Sequence, residues 1–291
     1  MKIIRARVLG FCMGVRRAVD IAEEEAAKSA DVYTLGPLIH NPRVLADLKN
    51  LGVRPIDSSL LQEIDFSRSS VIIRAHGISP EAERKLREKG CRVIDATCPK
   101  VKASQLKVKE LSENGFFLFL AGDAEHAEIE GLRGYSSDSR FCKVIGNVKD
   151  AGEEAAALYR INSEIKTALL GQTTISEEEY SNITLEIKKY FPDLEVIQTI
   201  CGANERQKAL RELLQTADAV IIAGGRDSAN TRRLLAIAEQ SGKPCVLAQD
   251  KSEIPGSFRE YGKVGLCAGA STPDSVIDEI ERELTGISHF T

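Results

Sequence analysis

Residues 116–122 read Phe116-Phe117-Leu118-Phe119-Leu120-Ala121-Gly122, an unbroken apolar run that ends at a glycine. A short run of this kind predicts a strand buried on both faces, and the glycine predicts a tight turn after it. His126 stands four residues beyond that glycine. The same order recurs from Gly36 to His40 and from Gly224 to Ser228. We therefore infer that the chain repeats one structural unit three times.

A cysteine precedes each repeat at a nearly constant distance. Cys12 lies 28 residues before His40, Cys98 lies 28 before His126, and Cys201 lies 27 before Ser228. Each is followed by apolar residues at helical spacing, which predicts that each cysteine stands at the start of a helix. Because a helix N-terminus stabilises negative charge, thiolates are favoured there. The intervals indicate that three lobes direct thiols to one point.

Each repeat closes with a second buried strand, followed by the start of a further helix. These strands are predicted within residues 71–76, 168–173 and 264–271, and each ends in polar side chains. Hydroxyl N-caps are predicted at Ser79, Ser176 and Thr272. Strands that alternate with helices predict parallel sheets, whose functional residues gather at the carboxyl ends of the strands.

The predicted fold class is α/β, with three small lobes of mainly parallel sheet around a shared centre. A length of 291 residues alone would suggest two domains. The predicted lobes are 1–97 with Cys12, His40 and His76; 98–197 with Cys98, His126, Glu128 and Thr173; and 198–291 with Cys201, Ser228, Asn230 and Ser271.

Composition excludes several classes of protein. With 43% hydrophobic and 28% charged residues, the chain has the composition of an ordinary globular protein. It shows neither a signal-peptide pattern nor an apolar run of about 18 residues or more, so we expect a cytoplasmic protein without a membrane partner. A net charge of −4 argues against nucleic acid as a partner, because binding to a phosphate backbone needs a basic surface.

Seven cysteines in a chain without an export signal favour metal binding or reactive thiols over a disulfide framework. Four of them lie in or beside strand-like runs and are predicted to pack in the interior: Cys91, Cys142, Cys245 and Cys267. The other three are too far apart in sequence for a zinc finger or a bacterial ferredoxin run. Three thiolates are one fewer than a cubane iron–sulfur cluster binds, and an iron without a protein ligand can bind substrate.

Hydrogen-bonding side chains suited to an anion stand at the predicted strand ends and helix starts. They are His40, His76, His126, Thr173, Ser228, Asn230 and Ser271. Helix N-termini add oriented N–H groups, so an acidic protein can bind phosphate without a basic surface. Glu128 follows His126 by two residues. In a desolvated site its pKa would rise, which would allow it to deliver protons near neutral pH.

At these residues the chain resembles the 4-hydroxy-3-methylbut-2-enyl diphosphate reductases, the IspH/LytB family of the non-mevalonate isoprenoid pathway. The resemblance runs through nearly the whole chain. The motifs that carry it are Gly10-Phe11-Cys12-Met13-Gly14-Val15-Arg16-Arg17-Ala18, Ile39-His40-Asn41, Arg74-Ala75-His76-Gly77, Asp95-Ala96-Thr97-Cys98-Pro99, Glu125-His126-Ala127-Glu128, Gln172-Thr173-Thr174, Thr199-Ile200-Cys201 and Ala268-Gly269-Ala270-Ser271-Thr272-Pro273.

The resemblance implies an α/β trefoil around a 4Fe-4S cluster with one iron that lacks a protein ligand. Cys12, Cys98 and Cys201 would hold the cluster. The diphosphate of the prenyl substrate would lie among His40, His76, His126, Ser228, Asn230 and Ser271, and Glu128 would supply protons with the aid of Thr173. The implied reaction is a two-electron reductive dehydroxylation that yields isopentenyl and dimethylallyl diphosphate. Reduced ferredoxin or flavodoxin is the implied electron donor.

Three departures from the family pattern bear on substrate fit and turnover. Arg206 follows Cys201 one position earlier than is usual, with Asn204 in place of a threonine. The run Asp227-Ser228-Ala229-Asn230 lacks one hydroxyl and places a carboxylate near the expected diphosphate. Lys102, Ala103 and Gln105 stand where a threonine, a lysine and a histidine are common.

Two other functions compete with the reductase. An iron–sulfur hydro-lyase acting on a related phosphorylated substrate would also use a cluster with an open iron, but it moves no net electrons. A non-catalytic protein with a structural zinc or a bound anion would need neither an electron donor nor turnover. Dependence on an electron donor separates the first from a reductase, and metal content separates the second.

Overall fold

The computed structural model describes residues 1–29, 31–39, 41–56, 69–201, 203–226 and 228–286. The strands are β1 Lys2–Arg5, β2 Val32–Leu35, β3 Val53–Ile56, β4 Ser70–Ile73, β5 Arg92–Asp95, β6 Phe117–Ala121, β7 Cys142–Ile145, β8 Thr167–Gly171, β9 Glu195–Val196, β10 Ala219–Ala223, β11 Cys245–Ala248 and β12 Lys263–Ala268. The α-helices are α1 Met13–Ala26, α2 Pro42–Asn50, α3 Pro80–Glu88, α4 Pro99–Glu113, α5 Ala127–Gly134, α6 Val148–Ile161, α7 Glu177–Lys188, α8 Ala203–Thr216, α9 Ala229–Gln240 and α10 Asp274–Thr285.

The described strands form three parallel sheets of four strands each. Their orders are β3-β2-β4-β5, β7-β6-β8-β9 and β1-β12-β10-β11. Every described pairing is parallel, as helices between successive strands require. The predicted α/β class is confirmed.

The chain divides into two compact units. The first unit comprises residues 1–19, 39–51 and 202–291, and the second comprises 20–38 and 52–201. The sheet with β10 and β12 lies in the first unit, and the second unit holds the other two sheets.

The N-terminal strand β1 does not join the sheet of the lobe predicted for residues 1–97. It pairs with β12, with Lys2 opposite Lys263, and so lies in the sheet predicted for the third lobe. The pattern of a four-residue strand does not indicate which sheet edge it extends. The lobe boundaries near 97 and 198 stay a prediction, but β1 lies in a different sheet from the one that this prediction gives it.

The central strand β6 is buried on both faces, as its apolar sequence predicts. Phe117, Phe119 and Ala121 pack into one cluster, whereas Leu118 and Leu120 pack into another. This alternation follows from the two-residue period of a strand that has helices on both sides. The layer of buried side chains fixes the strand whose carboxyl end leads to His126.

Replacement of Phe119 tests this packing. Phe119 is fully buried, so Phe119→Ala should lower the free energy of unfolding by about 3–5 kcal/mol, because a large cavity forms in a close-packed core. Urea denaturation followed by circular dichroism measures the loss. Phe141→Ala is the matched control, since the Phe141 side chain is exposed and its removal should cost less than about 0.5 kcal/mol. Equal effects in the two variants would contradict the burial pattern.

Two of the three predicted hydroxyl caps are confirmed. The Ala82 amide donates to Ser79 Oγ at 3.2 Å, and the Glu179 amide donates to Ser176 Oγ at 3.1 Å. The Thr272 prediction is wrong, because α10 begins one residue later, with Pro273 at the N-cap. Thr272 Oγ1 instead donates to the carbonyl of Ala223, which ties α10 to the end of β10.

Among the described residues, no helix combines the length and the apolar character that crossing a membrane requires.

Candidate active site

The three candidate ligand cysteines stand at helix starts, as predicted. Cys12 and Cys98 directly precede α1 and α4, and Cys201 lies two residues before α8. All three are partly exposed, and none forms a disulfide with another described cysteine. The Val15 amide donates to Cys12 Sγ at 3.4 Å, whereas Cys98 Sγ makes no capping bond to its helix. These thiols are therefore more open to a ligand than Cys91, Cys142 and Cys267, which are buried.

A main-chain hydrogen bond ties each cysteine to the end of a strand. The Cys98 amide donates to the carbonyl of Ala75 at 2.9 Å, which lies two residues after β4. The Cys12 amide donates to Ala270 at 3.0 Å, two residues after β12. The thiols are thus held where the carboxyl ends of parallel strands gather functional groups.

The third cysteine repeats this arrangement and points to a residue that the sequence analysis missed. The Cys201 amide donates to the carbonyl of Thr173 at 2.8 Å, two residues after β8. The residue that follows this carbonyl is Thr174, just as His76 follows Ala75 and Ser271 follows Ala270. Thr174 therefore occupies the same position after its strand as two predicted site residues. Counting three residues from each strand end would have found it.

His76 and His126 meet edge to face within the second unit. Their ring centroids are 5.1 Å apart, with an interplanar angle of 87°. His126 caps α5, because its Nδ1 accepts the Glu128 amide N–H at 3.2 Å. In a neutral imidazole with Nδ1 as acceptor, the proton resides on Nε2. This capping bond therefore presents Nε2 as a hydrogen-bond donor.

Glu128 and Thr173 form a buried pair beside His126. Glu128 is 1% exposed. Its Oε1 accepts the Thr173 amide at 2.6 Å, and its Oε2 accepts Thr173 Oγ1 at 2.9 Å. Burial raises the pKa of Glu128 to about 7, although both bonds from Thr173 oppose the rise. A carboxyl group with this pKa can hold and release a proton near neutral pH.

A continuous chain of contacts joins the predicted site residues of the second unit. The Cys98 amide donates to the carbonyl of the residue before His76, and the rings of His76 and His126 contact each other. His126 also caps the start of α5, the helix that carries Glu128. Glu128 then bonds Thr173, whose carbonyl accepts from Cys201. The second unit thus brings together two thiols, two imidazoles and a buried acid.

The first unit carries the remaining described candidates. Ser228 caps α9, with its Oγ accepting the Thr231 amide at 3.3 Å, and Asn230 lies in the first turn of that helix. The carbonyl of Ser271 accepts Asn41 Nδ2 at 2.8 Å, and Asn41 caps α2 directly after position 40. Ser228 and Ser271 are buried and Asn230 is partly exposed.

The loop of Ser271 packs closely against α9. A Cβ at Gly269 would collide with Thr231 Oγ1, so a residue without a side chain is required at that position. The helix that begins at Ser228 therefore lies against the segment that carries Ser271. The predicted site residue His40 lies outside the described residues, as does Asp227, the carboxylate that departs from the family pattern.

Two of the positions that depart from the family pattern make specific contacts. Lys102 Nζ lies 3.0 Å from Asp95 Oδ2 and 3.3 Å from the Tyr135 hydroxyl, so its ammonium group is engaged within the second unit. Gln105 is fully buried, and neither polar atom of its side chain has a hydrogen-bond partner among the described residues. A Cβ at Gly77 would collide with Gln105 Nε2, and Gly77 adopts a φ of +71°, so glycine is required beside His76.

Within the described part of the chain, no three His, Cys, Asp or Glu side chains are grouped as ligands of a single metal ion. Such a grouping would concern one ion. In a cubane cluster each cysteine binds a different iron, so its thiols are not grouped around one atom.

Comparisons with known proteins agree with this geometry. The chain matches the family described as LytB protein over residues 3–285. It is 44% identical to the 4-hydroxy-3-methylbut-2-enyl diphosphate reductase of Treponema denticola, over 98% of this chain and 99% of that protein. It is 41% identical to the reductase of the same description from Aquifex aeolicus, over 98% and 96% of the two chains.

Two solved structures share the fold. The first, of (E)-4-hydroxy-3-methyl-but-2-enyl diphosphate reductase, the terminal enzyme of the non-mevalonate pathway, matches with a TM-score of 0.78 and 39% identity, over 98% of this chain and 99% of that one. The second, of the E-1-hydroxy-2-methyl-but-2-enyl-4-diphosphate reductase from Plasmodium falciparum, matches with a TM-score of 0.84 and 26% identity, over 98% and 88%. With a family match that covers nearly all of its length and relatives above 40% identity, this chain belongs to the LytB protein family.

Proposed function

We propose that this protein reduces 4-hydroxy-3-methylbut-2-enyl diphosphate to isopentenyl and dimethylallyl diphosphate. The reaction consumes two electrons and two protons, breaks the carbon–oxygen bond of the hydroxyl and releases water. The observation that carries the proposal is the buried Glu128–Thr173 pair beside His126, in a chain whose relatives bear this name. A carboxyl group with a pKa of about 7 suits the protonation that such a reduction requires.

The donor chemistry of the chain fits an iron–sulfur cluster. Cys12, Cys98 and Cys201 are partly exposed, and the amide of each donates to a carbonyl two residues after the end of a strand. In our proposal they hold a 4Fe-4S cluster with one iron that lacks a protein ligand. When bound, this cluster supplies single electrons and an open iron as a Lewis acid.

The proposed diphosphate site uses hydrogen-bond donors instead of salt bridges. His126 offers Nε2–H, because its Nδ1 already accepts the Glu128 amide, and His76 lies edge to face with it. The other proposed donors are His40, Ser228, Asn230 and Ser271. The start of α5 at His126 and the start of α9 at Ser228 add the positive ends of two helix dipoles.

Proton delivery is assigned to Glu128. A protonated Glu128 can donate from Oε2 to Thr173 Oγ1, whose own proton then passes to the substrate hydroxyl or to the reduced carbon chain. The hydrogen bond from the Thr173 amide N–H to Glu128 Oε1 keeps the carboxyl group oriented during this proton transfer. Burial keeps Glu128 protonated in a useful fraction at neutral pH, because its pKa is about 7.

The electrons are proposed to come from a small redox protein such as reduced ferredoxin or flavodoxin, since iron–sulfur clusters exchange electrons singly. The prenyl diphosphate is the small-molecule partner. The formal net charge of −4 gives no support for nucleic acid as a further partner.

Anaerobic turnover tests the proposal. Protein purified and reconstituted with iron and sulfide under argon should convert the hydroxylated prenyl diphosphate only when a reduced low-potential donor is present. Mass spectrometry should identify two isomeric products that each lack the hydroxyl oxygen.

The other outcomes separate the competing functions. Dehydration without consumption of electrons would favour an iron–sulfur hydro-lyase. A colourless protein that contains zinc and takes up neither iron nor acid-labile sulfide would favour a non-catalytic metal or anion site. Either result would overturn the reductase.

A further inference from the structure

Arg206 is a buried cation to which the described residues offer no counter-ion. The residue is 5% exposed and lies in α8. Its described interactions comprise one hydrogen bond, from Nη2 to the carbonyl of Gly10 at 2.6 Å, and its buried Nε has no hydrogen-bond partner. No carboxylate among the described residues pairs with it within 4.0 Å.

This arrangement is costly unless an anion balances it. A guanidinium is charged at every physiological pH, and removing an unpaired charge from water costs several kcal/mol or more. Buried charges in proteins are therefore almost always paired with an opposite charge or bound to a metal site. The single carbonyl of Gly10 compensates for only part of the lost hydration.

The position of Arg206 indicates where an anion that balances its charge would lie. Gly10 lies two residues before Cys12 and adopts a φ of +76°, which favours glycine. A Cβ at Gly10 would also lie within 3.0 Å of Asp274 Oδ1, so the turn is closely packed. Arg206 thus holds the turn that delivers Cys12 to the start of α1.

The charge of Arg206 also acts on strand β12, which leads into the segment to which Cys12 is bonded. The Cys12 amide donates to the carbonyl of Ala270, in the segment that continues β12. Burial raises the pKa of Cys267, in that same strand, to about 12, and the charge of Arg206 partly opposes the rise. The field of the guanidinium therefore reaches the sulfur of Cys267, in the strand that leads into the segment bonded to Cys12.

We propose that Arg206 is a positioning residue that balances the negative charge of the thiolate-bound cluster at Cys12 and raises its reduction potential. This inference rests on the proposed cluster. A fixed cation stabilises the state with one more electron, and it acts more strongly in a buried site than in water. Arg206 also fixes the Gly10 carbonyl, but the charge is the property that sets the potential.

The test compares three variants of the reconstituted protein. Arg206→Gln removes the charge and keeps a hydrogen-bond donor for Gly10, whereas Arg206→Lys keeps the charge. Arg211→Gln is the matched control, because Arg211 lies on the same helix but is exposed, where solvent screens its charge. An anaerobic redox titration followed by electron paramagnetic resonance measures the midpoint potential, and iron and sulfide assays measure cluster content.

We expect Arg206→Gln to shift the midpoint potential downward at full iron content, while Arg206→Lys and Arg211→Gln stay near the parent value. Loss of the cluster in Arg206→Gln, with retention of the cluster in Arg206→Lys, would also support a role for the charge of Arg206. An unchanged potential in Arg206→Gln, or loss of the cluster from both Arg206 variants, would overturn the proposal. A parent protein that binds no cluster would instead refute the proposed function, so the two failures are distinguishable.

Discussion

Glu128→Gln should bind the cluster and the diphosphate as the parent protein does and lose about 100- to 10,000-fold in turnover. The amide is nearly the same size as the carboxyl group and can still accept the Thr173 amide N–H, so the local structure should persist. It cannot supply a proton at neutral pH. Single-turnover assays with a chemical reductant measure the loss without interference from a protein donor.

The direction in which the reaction rate changes with pH follows from the pKa of Glu128. The protonated form of Glu128 is the proton donor, and its pKa is about 7. The rate of the chemical step in the parent should therefore fall as the pH rises above about 7. In Glu128→Gln the residual rate should no longer show that decline.

Glu130→Gln is the matched control for Glu128. Glu130 lies on the same helix two residues later, but its side chain is exposed. The turnover of Glu130→Gln should stay near the parent value. Undiminished turnover in Glu128→Gln, or equal losses in the two variants, would remove Glu128 from the role of proton donor.

Cys98→Ser should abolish cluster binding and, with it, turnover. With three protein thiolates proposed, the loss of one leaves two, and a serine hydroxyl is far harder to deprotonate than a thiol. Cys98 Sγ makes no capping bond to α4, so the substitution should leave the helix and the fold intact. Iron and acid-labile sulfide content, together with visible absorbance, measure the result.

Cys245→Ala provides the control for the cysteine prediction. Cys245 packs beside the core of the first unit, in β11, and is not expected to be a ligand. Iron content should be unchanged in this variant. Full iron in Cys98→Ser, or loss of iron in a folded Cys245→Ala, would refute the assignment of ligands.

The fold class, and the placement of most candidate residues at strand ends and helix starts, could be predicted from the sequence because they depend on local patterns. The apolar run before Gly122 identifies β6, and the repeated interval from glycine to polar residue identifies His126 and Ser228. Each pattern reports a strand buried on both faces and the turn at its carboxyl end. These are properties of a few consecutive residues.

Other features depend on contacts between distant segments and could not be predicted. The partner of β1 is set by which sheet edge is open. The start of α10 after Pro273 depends on the bond from Thr272 to Ala223, 49 residues away. No sequence pattern shows that the amide of Gln105 and the guanidinium of Arg206 are buried, or that the described residues leave polar atoms of both without a hydrogen-bond partner.

The pairing of β1 with β12 has a consequence for biosynthesis. Residues 2–5 are synthesised long before residues 263–268, so β1 can pair with its neighbour only after that later segment has emerged from the ribosome. Both sheets of the second unit lack this dependence, since their strands lie within residues 32–196. Domains generally fold as units while the chain is made. Cys98 and Cys201 are then carried by a unit that can fold early, whereas the segment around Cys12 is completed only after β12 has been made, so we expect the proposed cluster to be inserted after that point.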